Sequence, residues 1–169
     1  LRATDGLQNA KVLVAGDGPQ RPAIEEAAAS RPSVRYLGWV PQDEVLPLMA
    51  LSDVIYYGLD INNGNNQYSA PNALFNALAV GKPVITTDVG EIAAIVRAER
   101  CGIVLSEATP TNLRAAIAQL REPRLYRELA GNANRIAESR YNWAVAEREL
   151  LRVYGEVVGR QVHNGSDRK

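Results

Sequence analysis

Residues 68–88 read YSAPNALFNALAVGKPVITTD, and this stretch decides the fold. Tyr68, Ser69, Ala70, Pro71 and Asn72 open a helix over 71–80, because proline is tolerated in the first helical turn, where its missing N–H has no partner to lose. Gly81 stops that helix, and KPVITTD (82–88) follows at once as a strand. No carboxylate appears before Asp88, so the helix entrance offers small polar groups and backbone amides, and no acid.

The same helix-to-strand alternation extends in both directions. KVLVAG (11–16), VRYLGWV (34–40), DVIYYGL (53–59) and GIVLS (102–106) read as strands, each a near-continuous apolar run, as expected where both sheet faces are covered. Between them lie helical segments at 19–30, at 41–52 with Pro47 expected to tighten or break it, and at 90–100. DINNGNNQYS (60–69) is a loop by composition. Thr109 caps a further helix with Pro110 in its first turn, Pro123 opens another, and a last helix spans 143–158. Alternation of this kind implies an α/β fold: a doubly wound, Rossmann-like parallel sheet of about five strands, with extra C-terminal helices. The domain is expected over 1–158, with 159–169 as a flexible polar tail.

Composition narrows the function. The 169 residues suffice for one domain with its own core. Nineteen Lys and Arg balance nineteen Asp and Glu, which argues against a nucleic-acid binder and against an electrostatically held membrane protein. One cysteine, Cys101, allows no internal disulfide and points to a reducing compartment, the cytoplasm; it reads as a small buried hydrophobe. With one histidine besides, the common zinc frameworks are excluded, and His163 reads as a solvated tail residue. LRATDGLQNA (1–10) is no signal peptide and has no strand pattern, and no initiating Met is present, so the chain reads as a piece of a longer polypeptide.

In an open parallel sheet, ligands bind beyond the carboxyl ends of the strands. The loops there are Gly16-Asp17-Gly18-Pro19, Gly38-Trp39-Val40-Pro41, Gly58 with the Asn-rich loop and then Ser69-Ala70-Pro71-Asn72, and Thr86-Thr87-Asp88-Val89-Gly90-Glu91. The first is neither a dinucleotide fingerprint, since Arg21 stands where a third glycine belongs, nor a P-loop, since no Gly-Lys-Ser/Thr follows. No NAD, ATP-hydrolysis or metal cofactor is therefore expected. The entrance at Pro71 is more informative. The first amides of a helix have no intrahelical partner, the helix dipole adds positive potential, and Ser69 and Ala70 leave room for a bulky anion. A diphosphate fits such a mouth. The alternative is that Ser69 only caps a core helix. Asn72 and Asn76 lie one turn apart on one face, both able to reach a ligand's hydroxyls.

In order, KVLVAGDGP (11–19), VRYLGWVP (34–41), LSDV (51–54), APNALFNALAVGKPVITTDVGEI (70–92) and CGIVL (101–105) resemble the C-terminal, nucleotide-sugar-binding domain of GT-B retaining glycosyltransferases of group 1. The likeness covers about residues 8–156. It implies a nucleoside diphosphate sugar, of UDP or GDP type, as donor. A glycan or lipid acceptor would be held through an N-terminal domain that would precede Leu1, with room for peripheral membrane association of the parent enzyme. Polysaccharide biosynthesis is the implied setting. By the same resemblance Gly16, Gly18 and Pro19 border the nucleotide or its phosphates, main-chain groups at Trp39 and Val40 meet the base, and the helix near Pro71 holds the diphosphate.

The chain departs from the family where charge matters. Two family glutamates, one for the donor sugar and one for the ribose, correspond to Tyr68 and Asn76, and a lysine of the most similar branch corresponds to Ala73. Asn76 can still pair with a hydroxyl, without charge assistance. The family's diphosphate-neutralising Arg and Lys follow a strand that would precede Leu1. The chain by itself is expected to bind a donor weakly and not to turn it over, and no residue in it is identified as a general base. Two other readings stay open: a degenerate domain that binds a nucleotide or partner without catalysis, and a flavodoxin-like receiver with acids at strand ends. Against the receiver, Asp53 opens its strand and lies at the rim opposite Asp17 and Asp88.

Overall fold

Among the described residues five strands alternate with helices and two further helices follow, as the sequence predicts: β1 (Val12–Ala15), α1 (Arg21–Ser30), β2 (Val34–Gly38), α2 (Gln42–Ala50), β3 (Ile55–Tyr57), α3 (Asn72–Ala79), β4 (Val84–Thr87), α4 (Gly90–Ala98), β5 (Gly102–Leu105), α5 (Pro110–Leu120), α6 (Pro123–Ser139) and α7 (Trp143–Ser166). The structure, a computed structural model, describes residues 2–5 and 9–166, the side chains of residue 4 and of 159–166 excepted.

Every strand pairing is parallel, with Ile55 opposite Val84 and Val84 opposite Gly102. The pairing departs from one continuous sheet, however. Among the described residues β1 pairs only with β2, and β3, β4 and β5 form a separate sheet in that order. Apolar strand runs identify strands but not which edges meet, because pairing joins residues far apart in sequence.

The core belongs to the three-stranded sheet. β4 is buried along its whole length, because both its faces are covered. Val84 packs with Leu74, Leu78, Ile92, Val96 and Ile136 from α3, α4 and α6. Ile85, facing the other way, packs with Leu105, Ala116, Leu120 and Leu129. A fully buried Leu or Ile stabilises by about 1.5–3 kcal/mol relative to exposure, so this cluster dominates the stability of the fold. Cys101 lies inside it with no exposed surface, as the sequence suggests, and burial pushes its thiol up to about 11.

Boundaries differ in several places. α1 begins at Arg21, since Gly18 accepts the Arg21 amide in a turn that leaves Pro19 outside the helix. Pro47 does not break α2, which runs through it. The lost bond leaves a carbonyl at Asp43, an exposed residue that water can reach. Residues 60–69 are not wholly irregular, for Gly64–Tyr68 form one 3-10 turn capped by the Asn63 side chain. Thr109 caps α5 as expected, accepting the Asn112 amide at 3.1 Å, and the Glu122 carboxylate caps α6. α7 continues to Ser166, past the 158 boundary, with Trp143, Leu150, Leu151 and Tyr154 exposed along it. The side chain of His163 lies outside the described residues.

Candidate active site

The parallel register places the carboxyl ends of β3, β4 and β5 at one rim. Two threonines of β4 organise what leaves it. Thr86 donates its hydroxyl to the Tyr57 carbonyl at 2.7 Å. Thr87 accepts the Leu59 amide at 2.8 Å and donates to the Leu59 carbonyl at 2.7 Å. The chain after β3 is thereby fixed to the end of β4. Further along the loop, the Asn66 side-chain amide donates to the Asp60 carbonyl at 2.9 Å. The loop then lies on the start of α4, where the Ile92 amide donates to the Ser69 carbonyl at 3.4 Å. Gly90 allows this approach: its φ is +72°, and a Cβ there would strike the Asn66 carbonyl oxygen.

This loop delivers Ser69, Ala70 and Pro71 to the entrance of α3. Ser69 is not the cap of that helix. The N-cap is Pro71, whose side chain carries no hydrogen-bonding atom, and no acid lies in the first turn. Leu74 donates to the Pro71 carbonyl at 2.9 Å, so the Asn72 and Ala73 amides lie ahead of the first helical bond. The other helices on this sheet start differently: α4 meets the Ser69 carbonyl, α5 meets Thr109 Oγ1 and α6 meets the Glu122 carboxylate. Asn72 is exposed and Asn76, one turn on, is half-buried. Tyr68 stands at the same entrance, 85% exposed.

The second group of predicted residues sits at the ends of β1 and β2. Gly16 donates to the Gly38 carbonyl at 2.7 Å and accepts the Tyr36 hydroxyl at 2.8 Å, tying the two loops together. The φ of Gly16 is +123°, which side-chain-bearing residues rarely adopt. Gly18 and Pro19 follow in an exposed turn, with the Gly18 amide donating to Asp17 Oδ1 at 2.8 Å. Trp39 is 71% exposed and Val40 half-buried. Thus Gly16, Gly18, Pro19, Trp39 and Val40 gather on one sheet, and Tyr68, Ser69, Ala70, Pro71, Asn72 and Asn76 on the other. None of the eleven lines the cleft of about 360 Å³ beside β5, which Arg97, Arg100, Ile103 and Leu129 border.

Asp17 and Asp88, the acids a receiver would use, are each paired with an arginine, Arg21 at 3.5 Å and Arg97 at 2.8 Å. Among the described residues no three of His, Cys, Asp and Glu gather closely enough to hold a metal ion. Sequence reasoning places Thr87 and Gly90 in a rim loop and Asn66 in the Asn-rich loop, but gives none of the three its positioning role. Thr87 had a readable signal: a hydroxyl in an otherwise apolar, buried strand must find a partner.

The family model for glycosyl transferases of group 1 matches residues 1–122. The chain belongs to that family. This glycosyltransferase chain is 26% identical over 159 residues to an uncharacterised glycosyltransferase of Methanocaldococcus jannaschii, covering 90% of this chain and 39% of that protein. It is 25% identical over 159 residues to the phosphatidyl-myo-inositol mannosyltransferase of Mycobacterium leprae, covering 89% of this chain and 39% of the relative. The chain therefore spans less than half the length of these relatives. Among solved structures, Anabaena HepE in complex with UDP superposes with a TM-score of 0.72 at 17% identity, covering 92% of this chain and 43% of HepE. That likeness establishes the GT-B, Rossmann-like fold. Among the described residues no helix is long and apolar enough to cross a membrane.

Proposed function

We propose that this chain is the donor-binding half of a retaining glycosyltransferase. The parent enzyme moves a sugar from a nucleoside diphosphate, of UDP or GDP type, to a glycan or lipid acceptor in the cytoplasm. The observation that carries the reading is the entrance of α3. It has no side-chain cap, no acid in its first turn, and two amides ahead of its first helical bond, on a loop held firmly to β4. Such a mouth suits a diphosphate, since the amides donate to phosphate oxygens and the helix dipole favours negative charge. UDP bound to HepE, a protein of the same fold, supports a nucleotide-sugar ligand.

In this reading Pro71 and Asn72 frame the diphosphate, and Ser69 and Ala70 leave it room. Asn76 pairs with a ribose hydroxyl, Tyr68 borders the donor sugar, and Gly16, Gly18, Pro19, Trp39 and Val40 border the nucleotide. Catalysis on this side consists of positioning and of stabilising the departing diphosphate. No side chain here is placed as a general base.

A second reading follows from Tyr68, Ala73 and Asn76, which put no charge at the entrance: a domain that binds a nucleotide without turnover. Calorimetric titration with UDP, GDP and ADP tests the shared claim of donor binding. Turnover by a polypeptide of the relatives' length, with and without Asn76→Ala, separates the two. An active parent that loses donor affinity on that substitution supports the enzyme, and an inert parent that still binds nucleotide supports the second reading.

A further inference from the structure

Asn63 and Gly64 lie in the loop between β3 and α3, and neither is among the residues placed around the donor. The pair is chemically labile. The side-chain carbonyl carbon of an asparagine is an electrophile. The next main-chain nitrogen can reach it and close a five-membered imide when no side chain crowds that nitrogen. Gly64 has no side chain, and both residues are exposed. The neighbouring asparagines are followed by larger residues: Asn62 by Asn63, Asn65 by Asn66, Asn66 by Gln67 and Asn72 by Ala73. The fold itself does not require glycine at 64. Its φ lies outside the left-handed region, and a Cβ there would meet nothing within 4 Å. The sequence holds one other such pair, Asn164-Gly165, whose side chains lie outside the described residues.

We propose that Asn63 is a site of intramolecular deamidation, gated by the fold, whose isoaspartyl product releases the loop from α4. The deprotonated Gly64 nitrogen forms a bond to Asn63 Cγ, the Cγ–Nδ2 bond breaks, and Nδ2 leaves as ammonia. One water then opens the cyclic imide. Opening at Cγ gives aspartate at position 63. Opening at the main-chain carbonyl gives isoaspartate, in which the chain runs on through Cγ. The described conformation holds the reaction back. The ψ of Asn63 is 107°, which turns the Gly64 nitrogen away from Cγ, and Oδ1 accepts the Asn65 amide at 3.1 Å. The Asn63 amide donates to the Asp60 carbonyl at 3.3 Å, and the Asn63 carbonyl accepts the Asn66 amide at 2.9 Å. These bonds must open before the nitrogen meets Cγ, so opening of the loop sets the rate. The two products differ in consequence. Aspartate keeps an oxygen where Oδ1 caps the turn, and its charge suits a helical N-terminus. Isoaspartate adds a methylene to the main chain and exchanges main chain with side chain, so the acceptors of the Asn65 and Asn66 amides both move. The turn Gly64–Tyr68 that these bonds start is the part of the loop that lies on α4. There the Asn66 carbonyl stands against Gly90 and the Ser69 carbonyl accepts the Ile92 amide. Isoaspartate at 63 therefore frees Ser69 from Ile92 and loosens the path into α3.

Peptide mapping by mass spectrometry, on chain aged in mildly alkaline buffer, tests the proposal. Among residues 60–76, conversion is expected first at Asn63, with isoaspartate among the products. It is expected to run about tenfold slower in the folded chain than in urea, because several hydrogen bonds must open first. Gly64→Ala, for which the fold has space, is expected to keep the loop and abolish the conversion. In chain enriched in isoaspartate at 63, the Ile92 amide is expected to exchange faster with solvent deuterium than in fresh chain. Asn63→Asp, which adds the charge without the extra methylene, leaves that exchange unchanged. Conversion that starts at Asn62, Asn65, Asn66 or Asn72 overturns the proposal. So does conversion at Asn63 that fails altogether in the folded chain, or runs as fast there as in urea, and so does unchanged Ile92 exchange in the isoaspartyl form. Should the chain alone not hold its fold, the same measurements on a polypeptide of the relatives' length decide. None of these readouts uses a nucleotide, so failure of donor binding leaves the proposal standing and the reverse.

Discussion

Leu59 and Thr87 are joined twice. The Leu59 amide donates to Thr87 Oγ1 at 2.8 Å, and the Thr87 hydroxyl donates back to the Leu59 carbonyl at 2.7 Å. One buried hydroxyl thus satisfies both backbone groups of the residue at which the chain leaves β3 for its Asn-rich loop. That loop ends at the α3 entrance, so the geometry of the proposed diphosphate site descends from this pair.

Thr87→Val keeps the shape and removes both bonds. A half-buried backbone amide and carbonyl lose these partners, and the cost reaches about 1–3 kcal/mol only for a group that water cannot reach. Urea denaturation is expected to show a loss of up to that size, while Thr87→Ser, which keeps the hydroxyl, loses clearly less. Donor affinity falls in the valine variant, because the loop positions Ser69 and Pro71.

Gly90→Ala tests the other end of the loop. Residue 90 has φ +72°, and a methyl group would meet the backbone carbonyl of Asn66, which cannot swing aside as a side chain could. The left-handed backbone alone costs about 1–2 kcal/mol for an alanine, and the collision adds to it. A drop of a few kcal/mol in unfolding free energy is expected. An unchanged denaturation midpoint would show that the loop does not lie on α4.

Much of this was legible in the sequence, and the losses have a common cause. Local signals succeeded: Pro71 and Gly81 bound α3, Thr109 caps α5, and the apolar run 84–87 is a strand buried on both faces. What failed was long-range. Nothing local in KVLVAG or DVIYYGL tells which edge each strand presents, so one sheet was expected where two occur. The sequence places Gly90 in a rim loop and at the start of the helical segment 90–100, but not its need for a bare backbone, which comes from Asn66, far away in sequence. The α3 entrance was legible because helix starts follow local rules. Its firmness was not, since that depends on Thr87 meeting Leu59 across the sheet.

Cys101 carries a pH dependence. Burial raises its thiol from 9.0 to about 11, with the nearby charge of Glu99 adding to the effect. A thiol whose folded value exceeds its unfolded one stabilises the fold fully below the lower value. That contribution declines as pH rises from about 9 toward 11. Stability is therefore expected to fall across that window, and less so in Cys101→Ala once its lower baseline is subtracted. A thiol reagent at pH 8 should react with Cys101 only as fast as the fold opens.

Asn72→Asp separates stability from binding. A carboxylate in the first turn of α3 favours the helix, by about 0.3–1 kcal/mol. The same charge opposes an incoming diphosphate, and a weakening of about tenfold, or 1.4 kcal/mol, is expected in calorimetric titration with UDP or GDP. Opposite signs in the two measurements identify the entrance as the anion site. A variant that is stabilised and binds unchanged would place the ligand elsewhere.

The most direct test of the diphosphate site follows backbone amide resonances while UDP or GDP is titrated in. The account predicts saturable shifts at Asn72 and Ala73, the amides ahead of the first bond of α3. Glu91 and Ile92, where the Ser69 carbonyl already closes the start of α4, should move far less. Saturable shifts confined to other residues, such as those of the cleft beside β5, with Asn72 and Ala73 unmoved, would contradict it.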